Sequence, residues 1–195
     1  MSYTSEEYRF LNNLAVMLDL GWDLQTAIES IRNDVTDEDL LVHYDTILAR
    51  LDNSSALGDT LAESELISDE SSRLIIRSGQ SSGMLQARLT AVAKLVGARY
   101  EGELDPYQRF LETWAVCVES GVSIEASLTA LTADYQDQPL GVIAGELLAG
   151  KRSGKPLFEV AQDFPDEFSS QARQLLRYGE RRNMALALRS IVKLV

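Results

Sequence analysis

Cysteine and histidine are nearly absent from this sequence, which has one residue of each among 195. A single cysteine cannot form a disulfide within the chain, and a single histidine cannot supply a metal site built from several histidines. The inventory of side chains therefore contains nothing that indicates an enzyme, and we expect neither catalysis nor a cofactor.

Basic residues are also scarce, because 18 Lys and Arg stand against 30 Asp and Glu. The resulting net charge of −12 repels the phosphate backbone of nucleic acids, so we expect no nucleic-acid partner. Hydrophobic residues make up 45% of the chain and charged residues 25%, which is close to the composition of globular proteins and excludes wholesale disorder.

Long hydrophobic runs are missing as well. The most apolar stretch, Leu140 to Gly150, has about half the length that a membrane span needs, and it contains Glu146. Residues 1–7 are acidic and do not show the basic-then-apolar order of a signal peptide. We therefore expect a cytoplasmic protein without a transmembrane segment.

The chain repeats itself without gaps at an offset of 100 residues, with about 19 identical positions. The identical pairs include Phe10 with Phe110, Gly21 with Gly121, Arg73 with Arg173, Arg77 with Arg177 and Gly79 with Gly179. A period of this length is typical of two homologous domains and is too long for a short solenoid repeat. We therefore place a first domain at residues 1–98, a linker at 99–105 and a second domain at 106–195.

Apolar residues recur three and four positions apart in both repeats, which is the spacing of an amphipathic helix. No segment shows the sustained alternation of a strand. The pattern predicts an all-α fold of two tandem antiparallel six-helix bundles. Gly21 and Gly121 are expected to end the first helix of each copy in a left-handed conformation, and Pro139 and Pro165 to lie in first helical turns.

Two segments of each repeat resemble a known family. Residues 10–28 carry the pattern Phe10-Leu11-x-x-Leu14-Ala15-x-Met17-Leu18-x-x-Gly21-x-x-Leu24-x-x-Ala27-Ile28. This pattern is similar to the start of the cytoplasmic domain of the type II secretion F family, which includes the inner-membrane platform proteins of type II secretion and type IV pilus machines. The family's second motif, Gly-Glu-x-Ser-Gly-x-Leu, resembles residues 79–85, where Gln80 replaces the Glu. The second repeat keeps Gly179 and Glu180 but lacks the Ser-Gly pair.

The resemblance implies a non-enzymatic scaffold or adaptor that takes part in assembling a secretion or pilus machine. The partners it implies are the assembly ATPase and other platform components, together with self-association into a homo-oligomer. Family members place transmembrane helices after each such domain, whereas here a hydrophilic linker joins the repeats. We therefore expect a cytoplasmic protein, and the second option for its location is peripheral association with the inner membrane. The alternative is a soluble helical interaction module of a complex outside secretion, because a fold does not determine a function.

An acidic turn at residues 34–39 is a weak candidate for a metal site, through Asp34, Asp37 and Asp39. Several carboxylates in a turn can gather oxygen ligands around a hard cation, although the spacing matches no established loop. The same residues at helix starts cap backbone amides and complement the helix dipole without any metal. Both interpretations stay open at this point.

Residues 145–152 imitate the start of a phosphate-binding loop, with Gly145, Gly150 and Lys151 at matching positions. Arg152 stands where that motif has the Ser or Thr that holds the metal. The preceding residues are predicted to be helical, so their amides are not free to surround a phosphate. We therefore expect no nucleotide site in this segment. Elsewhere in the chain, we interpret the single cysteine, Cys117, as a small core residue.

Arginines concentrate near the end of each repeat in a chain that is otherwise acidic. The candidates for partner binding are Arg73, Arg77, Arg173, Arg177, Arg181 and Arg182. Arginine gives directional contacts with several donors, which suits an acidic protein surface or an anionic membrane. The alternative is that these side chains are exposed and make weak pairs with neighbouring Asp and Glu.

Overall fold

The structure is a computed structural model that describes residues 3–52 and 56–195. This part of the chain forms helices and contains no strand, which confirms the predicted all-α class. The chain divides into two compact units, with the boundary between Glu103 and Leu104.

The helices of the first unit follow one another around a closed ring. They are α1 (Tyr3–Asp19), α2 (Leu24–Asn33), α3 (Glu38–Asp52), α4 (Leu57–Ala62), α5 (Glu70–Ser82) and α6 (Leu85–Glu101). Each helix contacts the next one, and α6 packs extensively on α1. Phe10 and Tyr44 meet edge to face in the core, with ring centroids 5.4 Å apart, and both side chains are fully buried.

The helices of the second unit have the same order and the same neighbours. They are α7 (Pro106–Glu119), α8 (Ile124–Asp134), α9 (Pro139–Arg152), α10 (Leu157–Val160), α11 (Ser170–Arg181) and α12 (Met184–Val192), with a 3-10 turn (Ala161–Asp163) after α10. The last helix again contacts the first, so the ring closes in the same way. The core is centred on Phe110, Trp114 and Phe168, which are fully buried. The antiparallel direction of the helices stays a prediction.

Two equivalent glycines end the first helix of each unit, as predicted. Gly21 and Gly121 both have a φ of +84°, a left-handed conformation in which a Cβ atom would be strained. In the first unit the Trp22 N–H donates to the Met17 carbonyl at 3.1 Å, so the chain reverses while a free carbonyl of the last helical turn is satisfied.

The two proline predictions have different outcomes. Pro139 is the first residue of α9, where its missing N–H breaks no helical hydrogen bond. The prediction for Pro165 was wrong, because this residue lies in a turn before α11. The helix begins instead at Ser170, since the Ser169 hydroxyl accepts a hydrogen bond from the Ala172 N–H at 3.2 Å.

The connection between the units is shorter than the glycine and proline pattern suggested. Helix α6 continues through Gly97, whose missing side chain leaves room for the Tyr8 ring, because a Cβ atom there would lie 2.8 Å from that ring. Gly102, with a φ of +70°, ends the helix, and Asp105 then caps α7. Residues 99–101 of the segment that we expected to be a linker therefore belong to α6.

Candidate functional site

The glycine that opens the second motif allows two helices to approach closely. A Cβ atom at Gly79 would lie 2.8 Å from the Cα atom of Leu85 at the start of α6. A Cβ atom at the equivalent Gly179 would lie 2.7 Å from the Cβ atom of Ala187 in α12. Neither position has room for a side chain, so this part of the motif serves the packing of the last two helices.

The residue after that glycine caps the short helix of its unit. The Gln80 side-chain oxygen accepts a hydrogen bond from the Gly58 N–H at 3.0 Å, in the first turn of α4. The Glu180 carboxylate accepts one from the Leu157 N–H at 2.7 Å, in the first turn of α10. Both helices begin after a residue without a polar side chain, so the acceptor comes from the neighbouring helix, α5 or α11. Because an amide and a carboxylate both offer this oxygen, Gln can replace Glu.

The end of the motif differs between the units because the turn is built differently. In the first unit Gly83 adopts a left-handed conformation with a φ of +71° and ends α5. In the second unit Asn183 occupies that position with an extended backbone, and its side chain accepts a hydrogen bond from the Leu186 N–H at 3.0 Å. The Ser-Gly pair is thus replaced by a capping side chain. All three parts of the motif have structural roles.

The acidic turn of the first unit also has a structural role. One carboxylate oxygen of Asp37 accepts hydrogen bonds from the N–H groups of Asp39 and Leu40, at 3.0 and 3.2 Å. This is the arrangement of a side chain that caps the start of α3, and Asp34 ends α2. In residues 3–52 and 56–195, no group of three or more Asp, Glu, His or Cys side chains is placed to hold a metal ion.

Arg73 and Arg173 make the same contact in the two units. The guanidinium of Arg73 donates to the Ile67 carbonyl at 3.0 and 2.8 Å, from Nε and Nη2. The guanidinium of Arg173 donates to the Phe168 carbonyl at 2.6 Å. Both arginines fix the segment that leads into their own helix, α5 or α11. Their side chains are therefore engaged inside their units.

Arg77 and Arg177 occupy equivalent positions but have different neighbours. The Nε atom of Arg77 lies 3.8 Å from a carboxylate oxygen of Asp59 in α4. The guanidinium of Arg177 lies over the ring of Phe158 in α10, 5.3 Å from its centroid, which is cation–π geometry. Gly58 stands at the position of Phe158 in the first repeat, so the aromatic contact exists in the second unit alone.

The structure brings two of the predicted arginines together with two lysines in a surface groove of about 290 Å³. The residues that line this basic groove include Lys151, Lys155, Phe158, Arg177, Glu180 and Arg181. Two lysines at the end of α9 and just after it thus face the arginines of α11. Arg182 is exposed but does not line the groove. The six arginine candidates therefore do not form one continuous site.

The single cysteine, the single histidine and the segment that imitates a phosphate-binding loop each have a structural environment in the described residues. Burial raises the pKa of Cys117 to about 12, so its thiol stays protonated and is a poor nucleophile. The His43 Nδ1 atom lies 3.7 Å from a carboxylate oxygen of Glu65, at the surface of α3. The segment that imitates a phosphate-binding loop lies within α9, which runs to Arg152, and its amides are part of the helix.

Among the residues that the structure describes, no helix has both the length and the apolar composition that a bilayer span requires.

One family model matches the chain twice. Its description is type II secretion system (T2SS), protein F, and the matches cover residues 10–107 and 110–195. The two matches follow the repeat in the sequence, and together they extend over nearly the whole chain. No curated protein matches the chain.

Proposed function

Because the chain belongs to the type II secretion system protein F family, with two tandem copies of its domain, we propose that it is a non-enzymatic scaffold or adaptor of a secretion or pilus machine. Members of this family are platform proteins without catalytic activity. The proposed partners are the assembly ATPase and other platform components, and the proposed assembly includes a homo-oligomer. The proposed location is the cytoplasm, including its boundary with the inner membrane.

The single observation that carries this proposal is the tandem match of the family domain over nearly the whole chain. The polar side chains of the shared motif support it, because they cap helices and join them instead of forming a pocket for a reaction. A protein of this kind acts by presenting helix faces and charged surfaces to other proteins.

An ionic network around the buried carboxylate of Glu7 joins the first and last helices of the first unit. The carboxylate of Glu7 in α1 is 1% exposed and accepts hydrogen bonds from the Ser68 N–H and hydroxyl, at 3.1 and 2.7 Å. Arg99 of α6 donates to the same carboxylate at 3.0 Å and to Asp69 at 2.5 Å. Burial raises the pKa of Glu7 above its ordinary value. The network therefore ties the first and last helices of the unit to the segment before α5.

The second unit closes its ring with different residues. Arg189 of α12 donates to both carboxylate oxygens of Glu119 in α7, each at 2.6 Å, and also to Glu112. These carboxylates raise the pKa of Arg189 further above its ordinary value, so the arginine stays charged. Tyr107 occupies the position of Glu7 and donates its hydroxyl hydrogen to the Glu167 carbonyl. Each unit thus holds its first and last helices together by its own polar contacts.

The arginine candidates remain the proposed partner-binding residues, with the emphasis on the second unit. Arg177, Arg181 and Arg182 are exposed, whereas Arg73 and Arg173 are engaged by backbone carbonyls. Exposed arginines offer bidentate hydrogen bonds to carboxylates, which favours an acidic partner surface. We therefore propose that α11 presents the contact to the rest of the machine.

The experiment that tests this function is affinity capture of the tagged chain from its native cells, with the retained proteins identified by mass spectrometry. The proposal expects enrichment of a secretion or pilus ATPase and of platform components over a capture with an unrelated acidic helical protein. Enrichment of the components of an unrelated complex would instead support the alternative of an interaction module outside secretion.

A further inference from the structure

We propose that the basic groove of the second unit binds an acidic peptide segment of a partner protein, with carboxylates of the peptide between the arginines of α11 and the two lysines, Lys151 in α9 and Lys155 just after it. The proposal rests on the proposed function, because it states the chemistry of the partner that such a scaffold would hold.

Three of the four cations that line the groove have no ion-pair partner among the residues that the structure describes. Glu180 is the one carboxylate among the lining residues of the groove. Lys155 lies 3.8 Å from a carboxylate oxygen of Asp163 at the surface. In the part of the chain that the structure describes, Lys151, Arg177 and Arg181 form no ion pair with a carboxylate. Like charges that are brought together without partners repel each other, and an anionic ligand would relieve this repulsion.

The positions of the arginines are set by the fold and suit a carboxylate. Arg177 lies against the Phe158 ring, which holds its guanidinium in place at the edge of the groove. Arg181 follows one helical turn later on α11, so the two side chains project from the same face. A planar guanidinium that is held in place can form two parallel hydrogen bonds to one carboxylate. The ring of Phe158 also offers an apolar surface to the carbon atoms of an acidic side chain.

The basic residues that line the groove belong to the second repeat and are mostly not shared with the first. At the equivalent positions the first repeat has Leu51, Ser55, Gly58, Arg77, Gln80 and Ser81. One cation of four is therefore retained there, and the aromatic ring is missing. The same helix arrangement without these charges shows that they are not needed to form a unit of this kind.

An acidic peptide fits the groove better than a membrane does. The whole chain has a net charge of −12, which opposes its approach to an extended anionic surface such as a bilayer or a nucleic acid. A concave groove of about 290 Å³ admits a few side chains of an extended chain, whereas a flat bilayer surface touches only its rim. Because the cations converge in one groove of an otherwise acidic protein, they favour the binding of a short acidic segment over that of an extended anionic surface.

The test is fluorescence anisotropy of the full-length chain with a fluorescein-labelled peptide of alternating Glu and Gly. A peptide of alternating Gln and Gly of the same length is the uncharged control. Arg181→Glu removes a cation that lines the groove, and Arg182→Glu makes the same charge change one residue away, outside the groove. Glu180→Gln removes the negative charge from the groove while keeping an oxygen for the Leu157 N–H, as Gln80 does in the first unit.

The proposal expects the Glu peptide to bind and the Gln peptide not to bind. It expects Arg181→Glu to weaken binding about tenfold or more and Arg182→Glu about threefold at most, because screened charges act mainly at close range. Glu180→Gln is expected to strengthen binding about threefold, because it removes a repulsive charge, while its melting temperature falls by about 4 °C at most. Gain of affinity in a variant that stays folded cannot result from damage to the structure.

Two results would overturn the proposal, and a third would separate it from the proposed function. Equal losses in the two arginine variants would show that net charge alone attracts the peptide. The groove would be a membrane-binding site if vesicles of phosphatidylglycerol and phosphatidylcholine bind in an Arg181-dependent way while the Glu peptide does not bind. Peptide binding with the expected pattern, but without capture of any secretion component, would leave the groove intact and contradict the proposed function. The two proposals therefore fail separately.

Discussion

The capping of α10 by Glu180 leads to a prediction about the stability of the second unit. The Glu180→Ala variant removes the carboxylate that accepts the Leu157 N–H at 2.7 Å. The residue before the helix, Pro156, has no side-chain acceptor that could replace this carboxylate. The Leu157 N–H of the variant would then lack its acceptor at a partly buried helix start.

The magnitude follows from the type of hydrogen bond. A bond to a charged acceptor contributes about 1.5 to 3 kcal/mol, and a neutral one about 0.5 to 1.5 kcal/mol. Because this bond is only partly buried, we expect Glu180→Ala to lower the free energy of unfolding by about 1 to 2 kcal/mol. In a unit of this size each kcal/mol lowers the melting temperature by about 4 to 8 °C. Glu180→Gln keeps an oxygen acceptor and should lose about 0.5 kcal/mol or less.

The assay uses the buried tryptophan of the second unit. Trp114 is fully buried, whereas Trp22 of the first unit is exposed, so a Trp22→Phe background makes fluorescence report the second unit. Thermal unfolding of Glu180→Ala and Glu180→Gln is then compared with that of the parent. The matched variant in the first unit is Gln80→Ala, which should leave the Trp114 signal unchanged if the units unfold independently.

The reasoning would be refuted if Glu180→Ala and the parent unfold at the same temperature. It would also be refuted if Glu180→Gln is as destabilised as Glu180→Ala, because the oxygen acceptor would then not be what matters. A loss in Glu180→Ala with near-normal behaviour of Glu180→Gln would explain why the two repeats have different residues at this position.

Three further predictions concern other features of the structure. Gly21→Ala and Gly121→Ala should each destabilise the chain by about 1 kcal/mol in thermal unfolding, because both glycines have a φ of +84°; unchanged melting would mean that the left-handed conformation is not required. Cys117 should react with a thiol reagent at pH 8 only after unfolding, because it is fully buried with a pKa raised to about 12, and rapid labelling of the folded chain would contradict this. Burial raises the folded pKa of Glu7 above 4.5, so the folded chain holds this proton more tightly than the unfolded chain. The free energy of unfolding of the wild type, relative to Glu7→Gln, should therefore fall as the pH rises from 4.5 through the folded pKa, and parallel pH profiles in denaturant titrations would disprove it.

Features that depend on local chemistry could be predicted from the sequence. The helical class follows from the spacing of apolar residues, and the left-handed conformation of Gly21 and Gly121 follows from their place after an amphipathic segment. The first turn of α9 at Pro139 follows from the missing N–H of proline. Pro165 shows the limit of prediction from local chemistry, because proline is favoured in turns as well as in first helical turns. The Ser169 cap determines where α11 begins.

Features that depend on contacts between distant segments could not be predicted. Nothing in the spacing of Gln80 and Glu180 shows that they cap helices that begin more than twenty residues earlier, although the shared oxygen acceptor at equivalent positions is a signal that could have been used. Residue type and spacing predict one group of partner-binding arginines. In the structure, however, Arg173 donates a hydrogen bond to a backbone carbonyl, and Arg177 lies over an aromatic ring. The basic groove exists because the end of α9, α10 and the C-terminal half of α11 contribute residues to one surface of the folded unit.

The most direct test of the scaffold function is a binding measurement between the purified chain and the purified assembly ATPase of the same cells. Biolayer interferometry would compare the wild type with the Arg177→Glu/Arg181→Glu double variant, at increasing salt and with helicity and melting temperature checked for both. The account predicts saturable binding that weakens as salt screens the contact and that is lost in a double variant that remains folded. Absence of binding by the folded wild type, or equal binding by the two proteins, would contradict it.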